Sequence, residues 1–327
     1  MLPISLAILY LILLLFTMLI SKKFELYDKP NARKIHTSKI LNTGGIIIYL
    51  FYLIIINFLE LNHNIEFIIS IGFFVFIVGI IDDVINLNPS TKIILLIAPS
   101  AYLIFNGINI TNLGNYEQIG VLDLGKFHIP FLILATGLLI NATNYIDGSD
   151  GLLLTFFICC LGYYIFLIDD TQTISLIKLL LIPVILNLIL NLLPSKSGFK
   201  IFSGNAGSLF IGFFISFLTI ELYRGFKIHP VYLIWPLWYP VFDFLFVTTN
   251  RALQKKNILT ADNTHLHHKI LAKFKKNHFK TLFLFFVSNL LIIYSGFLLS
   301  NFSKILSLMT FILTFFLYFA ARLNYRK

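Results

Sequence analysis

The sequence predicts an all-α integral membrane protein with about eleven transmembrane helices. Hydrophobic residues make up 58% of the 327 residues and charged residues only 12%, whereas a soluble domain carries roughly 25% charged residues. The hydrophobic residues form runs of about 15–20, the length a helix needs to cross roughly 30 Å of hydrocarbon. Lipid offers the backbone no hydrogen-bond partner, so spanning segments are helices or closed barrels. A barrel would show alternating hydrophobicity instead of continuous runs.

The apolar runs define the predicted spans in chain order. They cover about 1–20, 44–59, 66–81, 92–106, 130–146, 152–168, 174–193, 207–222, 229–249, 280–299 and 304–320. The longest segment between them, roughly 250–279, is too short for a separate domain. We therefore expect residues 1–327 to form a single polytopic domain.

Basic residues orient the predicted helices. When the loops are numbered alternately, 20 of the 25 Lys and Arg residues fall on one side, which the positive-inside rule assigns to the cytoplasm. The N-terminus is then outside and the C-terminus is cytoplasmic. Residues 1–20 lack the basic start and small-residue cleavage site of a signal peptide, so we expect a retained helix.

The net charge of +10 follows from this bias and favours attraction to anionic membrane lipid. Nucleic acid is a poor candidate partner, because the basic residues adjoin the spans and the sequence shows no nucleic-acid-binding module. Cys159 and Cys160 are neighbours inside a span, which argues against a disulfide framework or a metal knuckle.

Four polar segments fall at the predicted cytoplasmic face. They are Asp82-Asp83, the NATNYIDGSDGL segment, the GNAGS segment and the His265-Leu266-His267-His268 segment. Ionisable residues are costly in a membrane, so a functional site is the default hypothesis. A transporter would more often place them at mid-membrane in broken helices. An enzyme that acts on a cytosolic substrate and a lipid would gather them at one interface.

Asp82 and Asp83 end the third predicted span. A carboxylate at a helix C-terminus opposes the helix dipole, so the stability of that helix does not explain them. Two interpretations stay open: a solvated turn in which Asp83 caps a short helix, or a base or metal site beside a phosphate. Lys92, at the start of the next span, could meet a phosphate as a point charge.

In the NATNYIDGSDGL segment, Asn141, Asn144 and Asp147 recur every third residue and so share one helical flank. Gly148 permits a turn, and Asp150 is placed to cap the next helix. A tight helical hairpin would account for the turn and the cap. It would not account for the two amides and Asp147.

The other two segments carry weaker signals. GNAGS places free backbone N–H groups at a helix start, which suits a phosphate, although glycine-rich helix starts are common. The histidines open a predicted interfacial amphipathic helix, and we expect them to face a ligand. Zinc would need further ligands that the sequence does not supply. Asp243, inside the ninth span, fits equally well as a structural partner for a nearby cation or as a catalytic group.

Taken in order, the motifs resemble those of the polyprenyl-phosphate N-acetylhexosamine-1-phosphate transferases. This is the MraY/WecA-like group of glycosyltransferase family 4, and the H-x-H-H form is closer to the WecA type. The resemblance covers nearly the whole chain. It is carried by the segments DKPNARKIHTSKILNTGG, IDDVINL with Lys92, NATNYIDGSDGL, IFSGNAGSLFIG, YPVFDFLF with Arg251, and ADNTHLHHKI.

The resemblance implies transfer of an N-acetylhexosamine 1-phosphate from a UDP-sugar to undecaprenyl phosphate, with release of UMP, as the start of a cell-surface glycan. It implies Mg²⁺ as cofactor, replaceable by Mn²⁺, and an active site at the cytoplasmic face of the bacterial inner membrane. The partners would be these two substrates and membrane lipid, and a homodimer fits the same description. Because both substrates are anionic, a divalent cation and Lys or His donors would have to screen their repulsion.

The same resemblance assigns the site residues. Asp82, Asp83 and Asp147 would be catalytic, and Asp82 or Asp83 would deprotonate or position the lipid phosphate. Asn144 and Asn205 would lie at the metal. The substrate-binding residues would be Asn141, Asp150, His265, His267, His268, Lys92, Arg33 and His36.

The chain departs from the family pattern at two positions. Asn205 stands where the family usually has a magnesium-binding Asp, and Asn263 replaces an Arg before the histidines. Because Mg²⁺ prefers charged oxygen ligands, the first departure predicts weaker metal binding. A catalytically impaired homologue is therefore one alternative to an active transferase. The alternative from another class is a membrane transporter or flippase.

Overall fold

The computed structural model describes residues 2–28, 38–58, 63–257 and 264–324. These residues form thirteen α-helices and four short strands. The helices are α1 (Leu2–Lys23), α2 (Gly44–Ile56), α3 (His63–Ile85), α4 (Pro89–Phe105), α5 (His128–Ile146), α6 (Leu152–Ile165), α7 (Thr171–Asn191), α8 (Gly204–Arg224), α9 (Pro230–Leu233), α10 (Trp238–Leu253), α11 (Leu266–Lys273), α12 (His278–Phe302) and α13 (Lys304–Asn324).

The helices confirm a mostly helical, multi-pass membrane protein. Eight helical stretches of the described chain are long and apolar enough to cross a membrane. Three shorter apolar helices, α2, α4 and α6, lie at other predicted spans. The count of eleven spans and the side on which each terminus lies stay predictions.

The ninth predicted span is interrupted. It consists of α9, a 3₁₀ turn at Trp235–Leu237 and then α10. Pro236 lies in that turn, and proline has no backbone N–H to donate to the preceding helical turn. The helix restarts at Trp238, so α10 carries Asp243 toward its middle.

The four strands, which the sequence analysis did not predict, form two antiparallel pairs. Strand β3 (Asn112–Tyr116) pairs with β4 (Gly120–Asp123) in a hairpin between α4 and α5. Strand β1 (Tyr27–Asp28) pairs with β2 (Ile40–Leu41). Phe202 N–H donates to the Leu41 carbonyl at 2.9 Å, and Gly44 N–H donates back to the Phe202 carbonyl at 2.9 Å. These bonds tie the start of α2 to the start of α8.

Helix α8 lies at the centre of the fold, and about nine-tenths of its most apolar stretch is buried. It packs against α2, α3 and α5. Small residues allow this close approach: a Cβ at Gly45 would collide with the Gly207 backbone, and one at Gly79 with the Ala206 backbone. The C-terminal ends of α3 and α5 and the start of α2 therefore meet the N-terminus of α8.

Candidate functional site

Asp83 lies on α3 but holds the N-terminus of α8. Its carboxylate accepts hydrogen bonds from Asn205 N–H at 3.0 Å and Ala206 N–H at 3.2 Å. The Asn42 side-chain amide donates to the same carboxylate at 3.2 Å. An acid at a helix N-terminus satisfies orphan donors and is favoured by the helix dipole, typically by about 1 kcal/mol.

These contacts correct two expectations. The stability of a helix does explain Asp83, because the helix that it stabilises is α8 and not its own. The N–H groups at the start of α8, predicted to suit a phosphate, are occupied by this carboxylate. Asp83 is therefore a structural cap in this arrangement, and its catalytic assignment stays a prediction.

Asp82 makes a buried ion pair. Its Oδ2 lies 2.8 Å from Lys92 Nζ on α4, and its Oδ1 accepts from Leu87 N–H at 2.8 Å. The side chains of Lys92 and Asp82 are only 12% and 8% exposed. The interpretation of Asp82 as a solvated turn residue is therefore wrong.

A series of hydrogen-bonded polar side chains begins at Lys92. Its ammonium donates to Asn144 Oδ1 at 3.1 Å. The amide nitrogen of Asn144 then donates to Asn205 Oδ1 at 2.7 Å and to Ser208 Oγ at 2.8 Å. We call Asp82, Lys92, Asn144, Asn205 and Ser208 the polar network. It joins α3, α4, α5 and α8 through residues that are far apart in the chain.

Asp147 follows the last residue of α5. Burial raises the pKa of its carboxyl group well above the usual range, and the neighbouring carboxylates of Asp83, Asp28 and Asp150 raise it further. Several acids thus share one small region. Such a cluster favours either a bound cation or a retained proton.

Asn141 does not join this cluster. It lies on the same helix as Asn144, and its amide donates to the Gly137 carbonyl of its own helix at 2.7 Å. The shared flank inferred from the sequence therefore places Asn141 about one turn before the network. Its substrate-binding assignment stays a prediction.

The α5–α6 turn differs in detail from the expected hairpin. The residue with positive φ is Gly151, at +75°, and it is also the N-cap of α6, with no side-chain cap. Asp150 does not cap that helix, which corrects the sequence expectation. Its Oδ2 accepts from Lys200 Nζ, and His278 Nδ1 lies 3.6 Å away. The sequence analysis singled out neither of these two partners, because they lie before α8 and at the start of α12.

His265 is paired with Asp243. Its Nδ1 lies 2.7 Å from Asp243 Oδ2, and both residues are buried. The ring also lies near Tyr145, with the ring centroids 5.3 Å apart. Of the two interpretations left open for Asp243, the structure supports a structural partner for a cation, because Arg322 Nη2 lies 3.5 Å from Asp243 Oδ1.

His267 and His268 pack against the α5–α6 turn. A Cβ at Gly148 would lie 3.1 Å from His267 Nε2 and 3.0 Å from His268 Cε1. A side chain at Gly148 would therefore crowd both rings, which would have to shift slightly, and Gly148 itself has no positive φ. His267 is fully buried. Burial, then the neighbouring His268 and His265, lowers the pKa of its imidazole well below the usual range, so this ring is neutral.

The structure thus brings most of the predicted site together. The polar network, Asp147 and the histidines meet at one end of the bundle formed by α3, α5, α8 and α11. Arg33 and His36 lie outside the described residues, as does Asn263. The functional candidates that the sequence analysis missed are Asn42, Lys200 and His278.

Known proteins resemble this chain over much of its length. Residues 65–223 match the model of a family described as Glycosyl transferase family 4. The matched stretch is just under half of the chain and resembles this family. An undecaprenyl-phosphate alpha-N-acetylglucosaminyl 1-phosphate transferase of Escherichia coli (strain K12) is 29% identical over 269 residues, which cover 79% of this chain and 72% of the relative.

The similarity to other relatives extends over a comparable share of the chain. A probable undecaprenyl-phosphate N-acetylglucosaminyl 1-phosphate transferase of Bacillus subtilis (strain 168) is 27% identical, with 77% of this chain and 72% of the relative covered. A Yersinia pestis undecaprenyl-phosphate alpha-N-acetylglucosaminyl 1-phosphate transferase is 27% identical, with 76% and 70% covered. The segment matched by the family 4 model runs from α3 to α8 and contains the whole polar network. The histidines lie beyond it.

The magnesium ion implied by the family resemblance can be tested against the side chains present. Asp147 fits a cation, since a nearby positive charge would oppose both the burial and the repulsion by neighbouring carboxylates that raise its pKa. The amide oxygens of Asn144 and Asn205 already accept hydrogen bonds, from Lys92 and Asn144 respectively. In the described part of the chain, no three or more His, Cys, Asp or Glu side chains are grouped to hold a metal. Asp147 is thus the better candidate ligand, and the assignment of Asn144 and Asn205 stays a prediction.

Proposed function

We propose that this protein transfers an N-acetylhexosamine 1-phosphate from a UDP-sugar to undecaprenyl phosphate and releases UMP. The activities for which these relatives are named support this reaction. The observation that carries it is the convergence of the partly buried Lys92, the acids and the histidines at one end of the helix bundle. We also propose that this end faces the cytoplasm from the bacterial inner membrane.

The reaction requires one bond to form and one to break. An oxygen of the lipid phosphate attacks the phosphorus of the sugar 1-phosphate. The bond between that phosphorus and the oxygen bridging it to UMP breaks, and UMP leaves with that oxygen. A phosphate monoester has a second pKa near 6, so the attacking group is already mostly dianionic at neutral pH. Positioning and charge screening therefore matter more than proton removal.

Lys92 is the group best placed to screen phosphate charge. Its ammonium is held between Asp82 and Asn144, at 2.8 and 3.1 Å, so its position is defined before substrate arrives. A preorganised cation stabilises developing charge without reorganisation at the moment of reaction. In this assignment, Asp82 acts by orienting Lys92.

The histidines would contact the phosphates of the UDP-sugar. They lie against the α5–α6 turn at Gly148, next to Asp147. Mg²⁺, when bound, would neutralise phosphate charge, and Asp147 would help to hold it. The neutral state of His267 lets its ring act as a hydrogen-bond donor or acceptor without adding charge.

The test is UMP release by the purified protein with undecaprenyl phosphate, Mg²⁺ and a panel of UDP-sugars. We expect UMP only when the lipid acceptor and one of the UDP-N-acetylhexosamines are both present. Asp147→Asn should lower turnover strongly, whereas the exposed acid Asp169, changed to Asn, serves as a matched control. UMP release that is independent of the lipid, or transport of the UDP-sugar without chemistry, would contradict the proposal.

Asn205 favours one alternative, a catalytically impaired homologue. Its neutral amide stands where the family usually has a carboxylate. If the natural chain releases no UMP with any substrate pair and Asn205→Asp restores release, the chain is the impaired form of the same enzyme.

A further inference from the structure

Asp243 lies in a buried polar cluster that the proposed chemistry does not use directly. The residue is 0% exposed. Its Oδ2 lies 2.7 Å from His265 Nδ1. Its Oδ1 accepts from Leu266 N–H at 3.1 Å and from Tyr318 OH at 2.7 Å. Donors thus surround both oxygens, which is the environment of an ionised carboxylate.

The last helix of the described chain supplies half of this cluster. Tyr318 and Arg322 both lie on α13. Arg322 Nη2 donates to the Thr264 carbonyl at 2.6 Å and lies 3.5 Å from Asp243 Oδ1. The residues of α13 that are buried are Ser307 and Arg322. Phe311, Phe315 and Tyr318 of α13 are partly buried and pack against the core. The Arg322 end of the helix contacts the backbone directly before His265.

Stability does not account for this arrangement. Arg322 is 3% exposed, and its Nε and Nη1 have no acceptor among the described residues. A buried ion pair is often no more stabilising than apolar residues of similar volume. A polar cluster at this place is better explained by the orientation that it imposes on a neighbour.

We infer that Asp243, held by Tyr318 and Arg322, is a positioning residue that fixes the tautomer and orientation of His265. This inference rests on the proposed function, because His265 is taken to contact the sugar-nucleotide phosphates. A carboxylate only accepts hydrogen bonds, so Nδ1 of His265 must carry a proton. Its Nε2 is then the ring atom left for substrate. His267 differs, since its Nδ1 meets the Tyr239 hydroxyl at 3.0 Å.

Asp243→Asn makes the sharpest test. The Asn carbonyl oxygen is needed by Leu266 N–H and Tyr318 OH, so the new NH₂ group faces His265 Nδ1 and can only donate to it. The imidazole must then move its proton to Nε2. We expect ¹⁵N-histidine NMR spectra of the detergent-solubilised protein to show the His265 signals change from the Nδ1–H to the Nε2–H form. Comparison with the His265→Gln spectrum assigns those signals.

The kinetic expectation is a separate readout. In Asp243→Asn, kcat for UMP release should fall ~10²-fold or more, as is typical when an aspartate no longer sets the histidine tautomer. KM for the UDP-sugar should change less than about threefold, because the ring stays in place. Tyr318→Phe should give a smaller loss of the same kind. Arg322→Lys, which keeps one donor for the Thr264 carbonyl, should retain more activity than Arg322→Met.

Glu221→Gln is the matched control. Glu221 is another buried carboxylate, bonded to Asn64 and Arg224 near the opposite end of α8. This variant should keep the His265 spectrum and kcat. An unchanged tautomer with wild-type kcat in Asp243→Asn would overturn the inference. Should Asp243→Asn fail to fold, unchanged kcat and spectra in both Tyr318→Phe and Arg322→Met would overturn it. If the wild type releases no UMP, the proposed function fails, while the tautomer measurement still decides the role of Asp243.

Discussion

Replacing Lys92 with Met separates a structural ion pair from a phosphate-binding cation. Lys92 and Asp82 are 12% and 8% exposed and 2.8 Å apart, so this is a buried pair. Removing one partner of such a pair typically costs about 3–5 kcal/mol. The Leu87 N–H still donates to Asp82, so we expect a loss of stability near the lower end, about 3 kcal/mol.

The loss of activity has a different origin. An ammonium about 4 Å from a phosphate charge contributes roughly 4 kcal/mol at an effective dielectric constant of 20. Incomplete burial of the substrate reduces this interaction energy. At 1.4 kcal/mol per tenfold, its loss corresponds to a ~10²–10³-fold decrease in UMP release. Thermal unfolding in detergent and UMP release measure the two effects independently. The exposed Lys178, changed to Met, is the matched control.

A double variant of Lys92 and Asp82 distinguishes the structural role of the ion pair from the role of Lys92 in binding phosphate. Lys92→Met combined with Asp82→Asn removes the unpaired charge, so most of the stability should return while UMP release stays as low as in Lys92→Met. Asp82→Asn by itself should cost only about tenfold, since Asn144 still holds Lys92 in place. If Lys92→Met is mild and Asp82→Asn is as inactive as the double variant, Asp82 is the acting group and our reasoning is refuted.

Four further predictions follow from the site and the topology. Asn205→Asp in an active wild type should lower the Mg²⁺ concentration for half-maximal rate about tenfold, or roughly 1.4 kcal/mol; an unchanged dependence would remove residue 205 from the metal. The pKa of the Asp147 carboxyl group is raised in the folded protein. The free energy of unfolding therefore falls as pH rises from the pKa of this group in the unfolded chain to its pKa in the folded protein. Asp147→Asn should therefore unfold at a higher temperature than wild type at neutral pH while losing UMP release, and equal melting at pH 7.5 would contradict the burial of that charge. Gly148→Ala should reduce turnover by displacing His267 and its neighbour, with little change in melting temperature, and full activity would show that the close contact is dispensable. A fluorescent or phosphatase fusion at the C-terminus should report the cytoplasm and one in the 107–129 loop the outside, and a C-terminus on the outer side would invalidate the cytoplasmic site.

Composition and local patterns determined the class of this protein. Continuous apolar runs predict spanning helices, because each helix must satisfy its own backbone in lipid. Of the candidate site residues, Asp82, Lys92, Asn144 and Asn205 were identified as polar groups at helix ends, where a membrane protein has little reason to keep them. The structure joins these four in one network.

Tertiary structure alone decided which polar group meets which. Asp83 caps a helix that starts 121 residues later, Asp150 pairs with Lys200, and Asp243 is held from α13. The periodicity of a sequence indicates which face of a single helix is apolar. A hydrogen bond between side chains of two helices depends on how those helices pack together. Glycines such as Gly45 and Gly79 mark where helices approach closely without naming their partners. The sequence therefore identifies the polar residues at the helix ends, and only the packing of the helices shows which group each of them contacts.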